Sequence, residues 1–225
     1  MTATSSAPLA IVGGDEFGEG CTFDAELLAA SGADEVAVIP TAAAYEHPEH
    51  LLERATSWFG GLGAGVRPVA VLGRPDASDP ALVEAVARAR FVYLVGGSAM
   101  HLRSVMKDTP LWDALVAAWD GGAVVAASSA AAMALCDPMV DPRGGAFTLG
   151  LGLVRQLAVI TEYDTWSPER ARRTFELAGQ GLTVVGVDRR TALVRDGADG
   201  GWRVAGVGSV VVHRDGRSGG VELLA

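Results

Sequence analysis

The stretch Ala123-Val124-Val125-Ala126-Ala127-Ser128-Ser129-Ala130-Ala131-Ala132-Met133 decides how the chain is read. Its first five residues are apolar on both faces, which marks a strand covered on both sides, as in a parallel sheet. Two serines then lead into an alanine-rich helical pattern. A nucleophilic serine needs this arrangement: a sharp strand-to-helix turn with small neighbours, so that substrate and backbone can both approach. The N–H groups opening the helix can also stabilise an oxyanion. The plainer reading is that Ser128 or Ser129 caps the helix. The stretch alone leaves both open.

The units to either side repeat the theme. Pro8 to Val12, Glu35 to Ile39, Val66 to Leu72 and Phe91 to Val95 read as buried strands. Helical spacing covers Phe23 to Ser31, His50 to Leu62, Pro80 to Ala89, Met100 to Met106 and Leu111 to Trp119. Strands alternating with helices predict a doubly wound, mostly parallel α/β sheet flanked by helices, in one domain over residues 1–225. Ligands in such sheets sit beyond the carboxyl ends of the strands. That directs attention to Gly13-Gly14, Pro40-Thr41, Gly96-Gly97 and the residues after Ala127.

After residue 137 the texture changes. Asp137 to Gly145 reads as a loop, Leu157 to Thr161 as a strand, and Pro168 to Leu177 as a helix capped by Ser167. Short strands follow at Leu182 to Val187, Thr191 to Val194, Trp202 to Val204 and Ser209 to His213. Turns at Asp196-Gly197, Asp199-Gly200-Gly201 and Asp215-Gly216 separate them. These strands are expected to add to the main sheet.

Composition limits the function classes. The 225 residues are 49% hydrophobic and 20% charged, which excludes disorder as the main state. The net charge of −9 argues against nucleic acid or an anionic membrane surface as partner. Met1 to Ser6 carries no basic residue before the first apolar run, so no signal peptide is read. No apolar run reaches the length of a membrane span. A cytoplasmic protein is expected, with Cys21 and Cys136 as reduced, structural thiols. Cys136 is placed two turns along the helix that follows Ser129. No metal site and no cofactor is expected.

A second candidate feature is Tyr93-Leu94-Val95-Gly96-Gly97-Ser98-Ala99-Met100-His101. The double glycine lets backbone approach a ligand and offers N–H donors. Neither it nor Gly13-Gly14-Asp15-Glu16-Phe17-Gly18 has dinucleotide-binding spacing, and a tight strand-to-helix turn would explain both.

Together these features resemble the cyanophycinase and dipeptidase E (aspartyl dipeptidase) family of serine peptidases, built on the class I glutamine-amidotransferase-like fold. Val38-Ile39-Pro40-Thr41-Ala42 is similar to that family's IPTAS stretch, Leu149-Gly150-Leu151-Gly152-Leu153 to its GLGL stretch, and Gly186-Val187-Asp188-Arg189-Arg190-Thr191-Ala192-Leu193 to its GIDExTAL stretch. The resemblance implies that Ser129 occupies the nucleophile position. It also implies an oxyanion hole from Gly97 and Ala130, and a pocket edged by Gly96, Ser98, Ser128 and Glu162.

The rest of the catalytic set departs from the family pattern. Both glycines of the family's Gly-x-Ser-Ala-Gly-Ala turn are alanine here, at Ala127 and Ala131. The family's general-base histidine falls on Tyr163, and the carboxylate that orients it falls on Arg189. A serine hydroxyl without an adjacent base is a weak nucleophile. Of the four histidines, His101 is the candidate replacement base, whereas His47, His50 and His213 read as surface or structural. Glu162 and Asp164 could orient a group in the pocket. The expectation is a peptidase homologue that has lost the ancestral Ser-His-acid mechanism. The alternatives are an active hydrolase of peptide or isopeptide bonds with a rebuilt base, and a non-catalytic protein that binds a small molecule or peptide. A homodimer is also expected as an option.

Overall fold

Five strands run parallel through the centre of the molecule, each delivering its carboxyl end to the same edge. In the computed structural model, which describes residues 7–197 and 200–224, they are β1 (Leu9–Val12), β2 (Glu35–Ile39), β3 (Gly65–Pro68), β4 (Phe91–Leu94) and β5 (Val124–Ser128). Between them lie the helices α1 (Phe23–Ser31), α2 (Pro48–Gly61), α3 (Pro80–Ala87), α4 (Ala99–Met106) and α5 (Pro110–Asp120). A short helix α6 (Ala130–Leu135) follows β5. Met1 to Ser6 and Asp199 of the expected turn lie outside the described residues.

The strand pattern is the physical cause of the layering. Ala10, Val12, Val36, Val38, Tyr93, Val124 and Ala126 bury one face under α1 and α2. Leu9, Ile11, Ile39, Leu94, Val125 and Ala127 bury the other against α3 to α6 and a second sheet. With both faces covered, no polar alternation is possible, and the strands read as continuous apolar runs.

Beyond α6 come four two-residue strands: β6 (Cys136–Asp137), β7 (Met139–Val140), β8 (Phe147–Thr148) and β9 (Val154–Arg155). Then follow β10 (Leu157–Thr161), α7 (Pro168–Leu177), β11 (Thr183–Val187), β12 (Thr191–Arg195), β13 (Trp202–Gly206), β14 (Val210–Arg214) and β15 (Arg217–Gly219). The main sheet has the order β13-β12-β1-β5-β4-β2-β3, with β12 antiparallel to β1. The order β10-β11-β14-β15 forms a separate four-stranded sheet.

Three sequence expectations are corrected here. Only β12 and β13 extend the main sheet; the other late strands build a sheet of their own. The strand expected over Val66 to Leu72 stops at Pro68, on an edge strand paired only with β2. An edge position tolerates the proline's missing N–H; the Val69 N–H still donates to the Val38 carbonyl at 2.9 Å, and the paired register ends at Pro68. Finally, Cys136 lies beyond the end of α6, at the start of β6. Among the described residues no helix is long and apolar enough to cross a membrane.

Candidate active site

Ser129 stands between β5 and α6 with φ 54° and ψ −130°. This backbone is uncommon for a non-glycine residue and is held only when its surroundings over-determine it. The Ser129 N–H donates to the Val12 carbonyl at 3.1 Å, which ties the turn to the end of β1. Its side chain comes to the loop that follows β1. A Cβ on Gly14 would stand 2.8 Å from Ser129 Oγ and 3.2 Å from Glu162 Oε1. Gly14, at φ 118°, thus leaves open a small space that Ser129 and Glu162 share.

Glu162 reaches this place because its own backbone is left-handed, at φ 52°, and its N–H donates to the Gly13 carbonyl at 2.7 Å. Among the described residues neither Ser129 Oγ nor the Glu162 carboxylate makes a hydrogen bond.

On the other side of Ser129 runs the β4 turn. Gly96 has φ 93°, and a Cβ there would fall 2.6 Å from Ala43 Cβ, so only glycine fits. The Val95 N–H donates to Ile39 and the Ser98 N–H to Ala42. The Gly97 and Ala130 N–H groups have no hydrogen-bond partner among the described residues. Glu46 lies against Gly97: its Oε2 is 2.3 Å from where a Cβ on Gly97 would be. Ser98 is the N-cap of α4, its Oγ accepting from the His101 N–H at 3.2 Å.

Several expected site residues point elsewhere. The His101 ring bonds the Leu72 carbonyl through Nε2 at 2.8 Å and packs edge-on to Tyr45. The Tyr163 ring lies on Gly186, where a Cβ would come within 2.5 Å of it, and faces Phe175. Burial, with the Asp188 carboxylate near it, holds the Tyr163 hydroxyl above the usual phenol pKa. That makes it still less suited to act as a base. Together with Phe175 and His213 it lines a groove of about 750 Å³ beside α7, which does not include Ser129.

Arg189, which the resemblance put at the family carboxylate position, is tied to Asp164. Its Nε donates at 2.8 Å and its backbone N–H at 3.0 Å. Burial pushes the Asp164 carboxyl up, but these bonds outweigh it and hold the group below its ordinary value.

Ser128 also turns away from the cleft. Alternation along β5 puts Val124, Ala126 and Ser128 on the face under α1 and α2. There Ser128 Oγ donates to Glu16 Oε2 at 2.6 Å, with both residues buried. The remaining histidines are peripheral: His47 pairs with Glu49 and stacks on His50, while His213 stacks on Phe175. Burial pushes the Cys21 thiol up to about 11 and the Cys136 thiol up to about 12, so neither is a thiolate at neutral pH. No group of three or more His, Cys, Asp or Glu side chains among the described residues is arranged to hold a metal ion.

Sequence reasoning pointed to the Gly13-Gly14 turn but missed two participants, Glu46 and Glu16. Glu16 did carry a signal, being an acid wedged between a double glycine and the buried Phe17. The failed dinucleotide test drew attention away from it.

A three-layer α/β fold with a serine on a strained strand-to-helix turn, at the carboxyl edge of a parallel sheet, defines a serine-peptidase-like protein. Comparison with known families agrees: the chain belongs to peptidase family S51, whose model matches residues 9–199. Among solved structures, a peptidase from an acI-B1 Actinobacterium is similar, with 26% identity and a TM-score of 0.83. The match covers 97% of this chain and 96% of that one. A putative peptidase E protein from Listeria monocytogenes EGD-e shares the fold at 15% identity and a TM-score of 0.63, covering 92% and 98%. No curated protein sequence matches.

Proposed function

We propose that this chain is an acyl hydrolase of the serine-peptidase type in which the ancestral Ser-His-acid relay has been replaced by a serine and a carboxylate. Ser129 is the nucleophile and Glu162 its proton acceptor. The observation that carries this reading is the space over Gly14, which the Oγ of the strained serine and the Glu162 carboxylate both border. In the first half-reaction Ser129 Oγ attacks the carbonyl carbon of a peptide or ester, and its proton passes to Glu162. The Gly97 and Ala130 N–H groups receive the developing oxyanion. Glu162 then returns the proton to the leaving group, and water hydrolyses the acyl-serine.

A carboxylate is a weaker base than an imidazole. Turnover well below that of a complete triad is the expected consequence. The substrate is a peptide or small molecule, a cytoplasmic location accompanies this role, and self-association into a homodimer is compatible with it.

The second reading is a binding protein without turnover. It is favoured by Ser129 Oγ having no hydrogen-bond partner among the described residues, and by buried alanines at 127 and 131. Intact-mass spectrometry after exposure to a fluorophosphonate separates the two. The hydrolase gives one adduct that Ser129→Ala abolishes. A wild type that stays unlabelled and releases no product from p-nitrophenyl esters is the binding protein.

A further inference from the structure

A carboxylate removed from water is costly unless it is paired, and an apolar side chain would fill the same volume at no such cost. Glu16 is 5% exposed, yet among the described residues its side chain pairs with no cation; it accepts a hydrogen bond from Ser128, which is 0% exposed. At 2.6 Å this bond lies at the short end of the range for a hydroxyl donating to an oxygen. Its place in the chain gives it a consequence. Ser128 is the residue immediately before the strained Ser129, and the glycines that would ease that turn are alanines.

The loop carrying Glu16 grips the other half of the site as well. Gly14, Asp15 and Phe17 all have positive φ, at 118°, 53° and 61°. The Gly13 carbonyl accepts from the Glu162 N–H at 2.7 Å, and the Gly14 carbonyl from the Arg190 N–H at 2.8 Å. Arg54 donates to the Glu16 carbonyl from α2. One five-residue loop therefore holds the backbone of Glu162 at its start and the neighbour of Ser129 near its end.

We infer that Glu16 is a positioning residue: its buried carboxylate clamps Ser128, so that Ser129 is presented in its strained conformation and in register with Glu162. The inference rests on the reading of Ser129 as nucleophile. Displacements of about 1 Å at a reacting group can cost about 100-fold in rate, so loss of the clamp should be visible in chemistry.

The test is the rate of fluorophosphonate labelling in Glu16→Ala, Glu16→Gln, Ser128→Ala and the double variant Glu16→Ala/Ser128→Ala, with amide hydrogen exchange measured over residues 128–131. Either alanine variant should label about 10- to 100-fold more slowly and exchange faster at the turn. The double variant should be no slower than the slower single, because the two side chains act as one unit. Glutamine keeps an acceptor oxygen in the same place, so Glu16→Gln should recover to within a few-fold of wild type.

Folded Glu16→Ala that labels at the wild-type rate overturns the clamp, and so does a double variant with additive losses. Should Glu16→Ala fail to fold, Ser128→Ala and Glu16→Gln carry the same comparison. An unlabelled wild type would overturn the nucleophile reading instead. Exchange at 128–131 would then decide the clamp by itself: faster in Ser128→Ala supports it, unchanged overturns it.

Discussion

Ser129 and Glu162 show what one residue's backbone can do for its neighbour. Both have positive φ, and both are held through the end of β1, by way of Val12 and Gly13. The turn that carries Ser129, the proposed nucleophile, was legible because a strand, two serines and an alanine run have a local meaning. Glu162 was legible as a pocket residue, but not as the side chain that shares the space of Ser129. Whether position 162 or 163 faces the serine depends on a left-handed turn that no periodicity announces, and it is Glu162 that shares the space over Gly14 while Tyr163 turns to Phe175.

The buried acid next to this loop gives a sharper prediction. Asp24 accepts from the Trp58 indole N–H at 2.9 Å. Burial raises its pKa from 3.8 to about 7, partly offset by that bond, while the Glu16 carboxylate pushes it further up. Between these two values the folded chain holds a proton that the unfolded chain has released. Stability therefore falls as pH rises from about 4 to about 7, by about 4 kcal/mol in all. Asp24→Asn removes this dependence and keeps an acceptor for Trp58. It should raise the melting temperature at pH 8 and leave it nearly unchanged at pH 4, as differential scanning fluorimetry would show. Equal shifts at both pH values would contradict the assignment.

At the scale of elements, the central β-α units were readable because β1, β2 and β4 are short apolar runs soon followed by glycine or proline, and β5 is one that runs into two serines. The observed ends of α1, β2, β10 and α7 fall where the sequence placed them. The late strands were readable as strands but not as a second sheet. Their alternation is alike whichever sheet they join, and the choice depends on pairing over a long sequence separation.

The GLGL stretch has its cause here too. A Cβ on Gly150 would fall 1.6 Å from the Cys136 carbonyl, where the chain leaves α6. Gly150→Ala should cost about 3 kcal/mol, a fall of roughly 6–12 °C in melting temperature. A melting curve equal to wild type would mean that this crossing can separate freely.

For the whole molecule, two apolar faces clamp the parallel sheet and leave its carboxyl edge to carry function. Four turns converge on that edge: those after β1, β2, β4 and β5. Family membership and architecture follow from this frame and from residues 9–199. The proposed chemistry rests on what the frame holds, Ser129 and Glu162 bordering one space over Gly14.

The most direct measurement is the second-order rate constant of fluorophosphonate labelling, with the adduct located by tandem mass spectrometry, in wild type, Glu162→Gln and His101→Ala. The account predicts an adduct on Ser129, a rate lowered about 100-fold or more in Glu162→Gln, and a wild-type rate in His101→Ala. Full labelling of Glu162→Gln together with loss in His101→Ala would contradict it and return the base to the histidine.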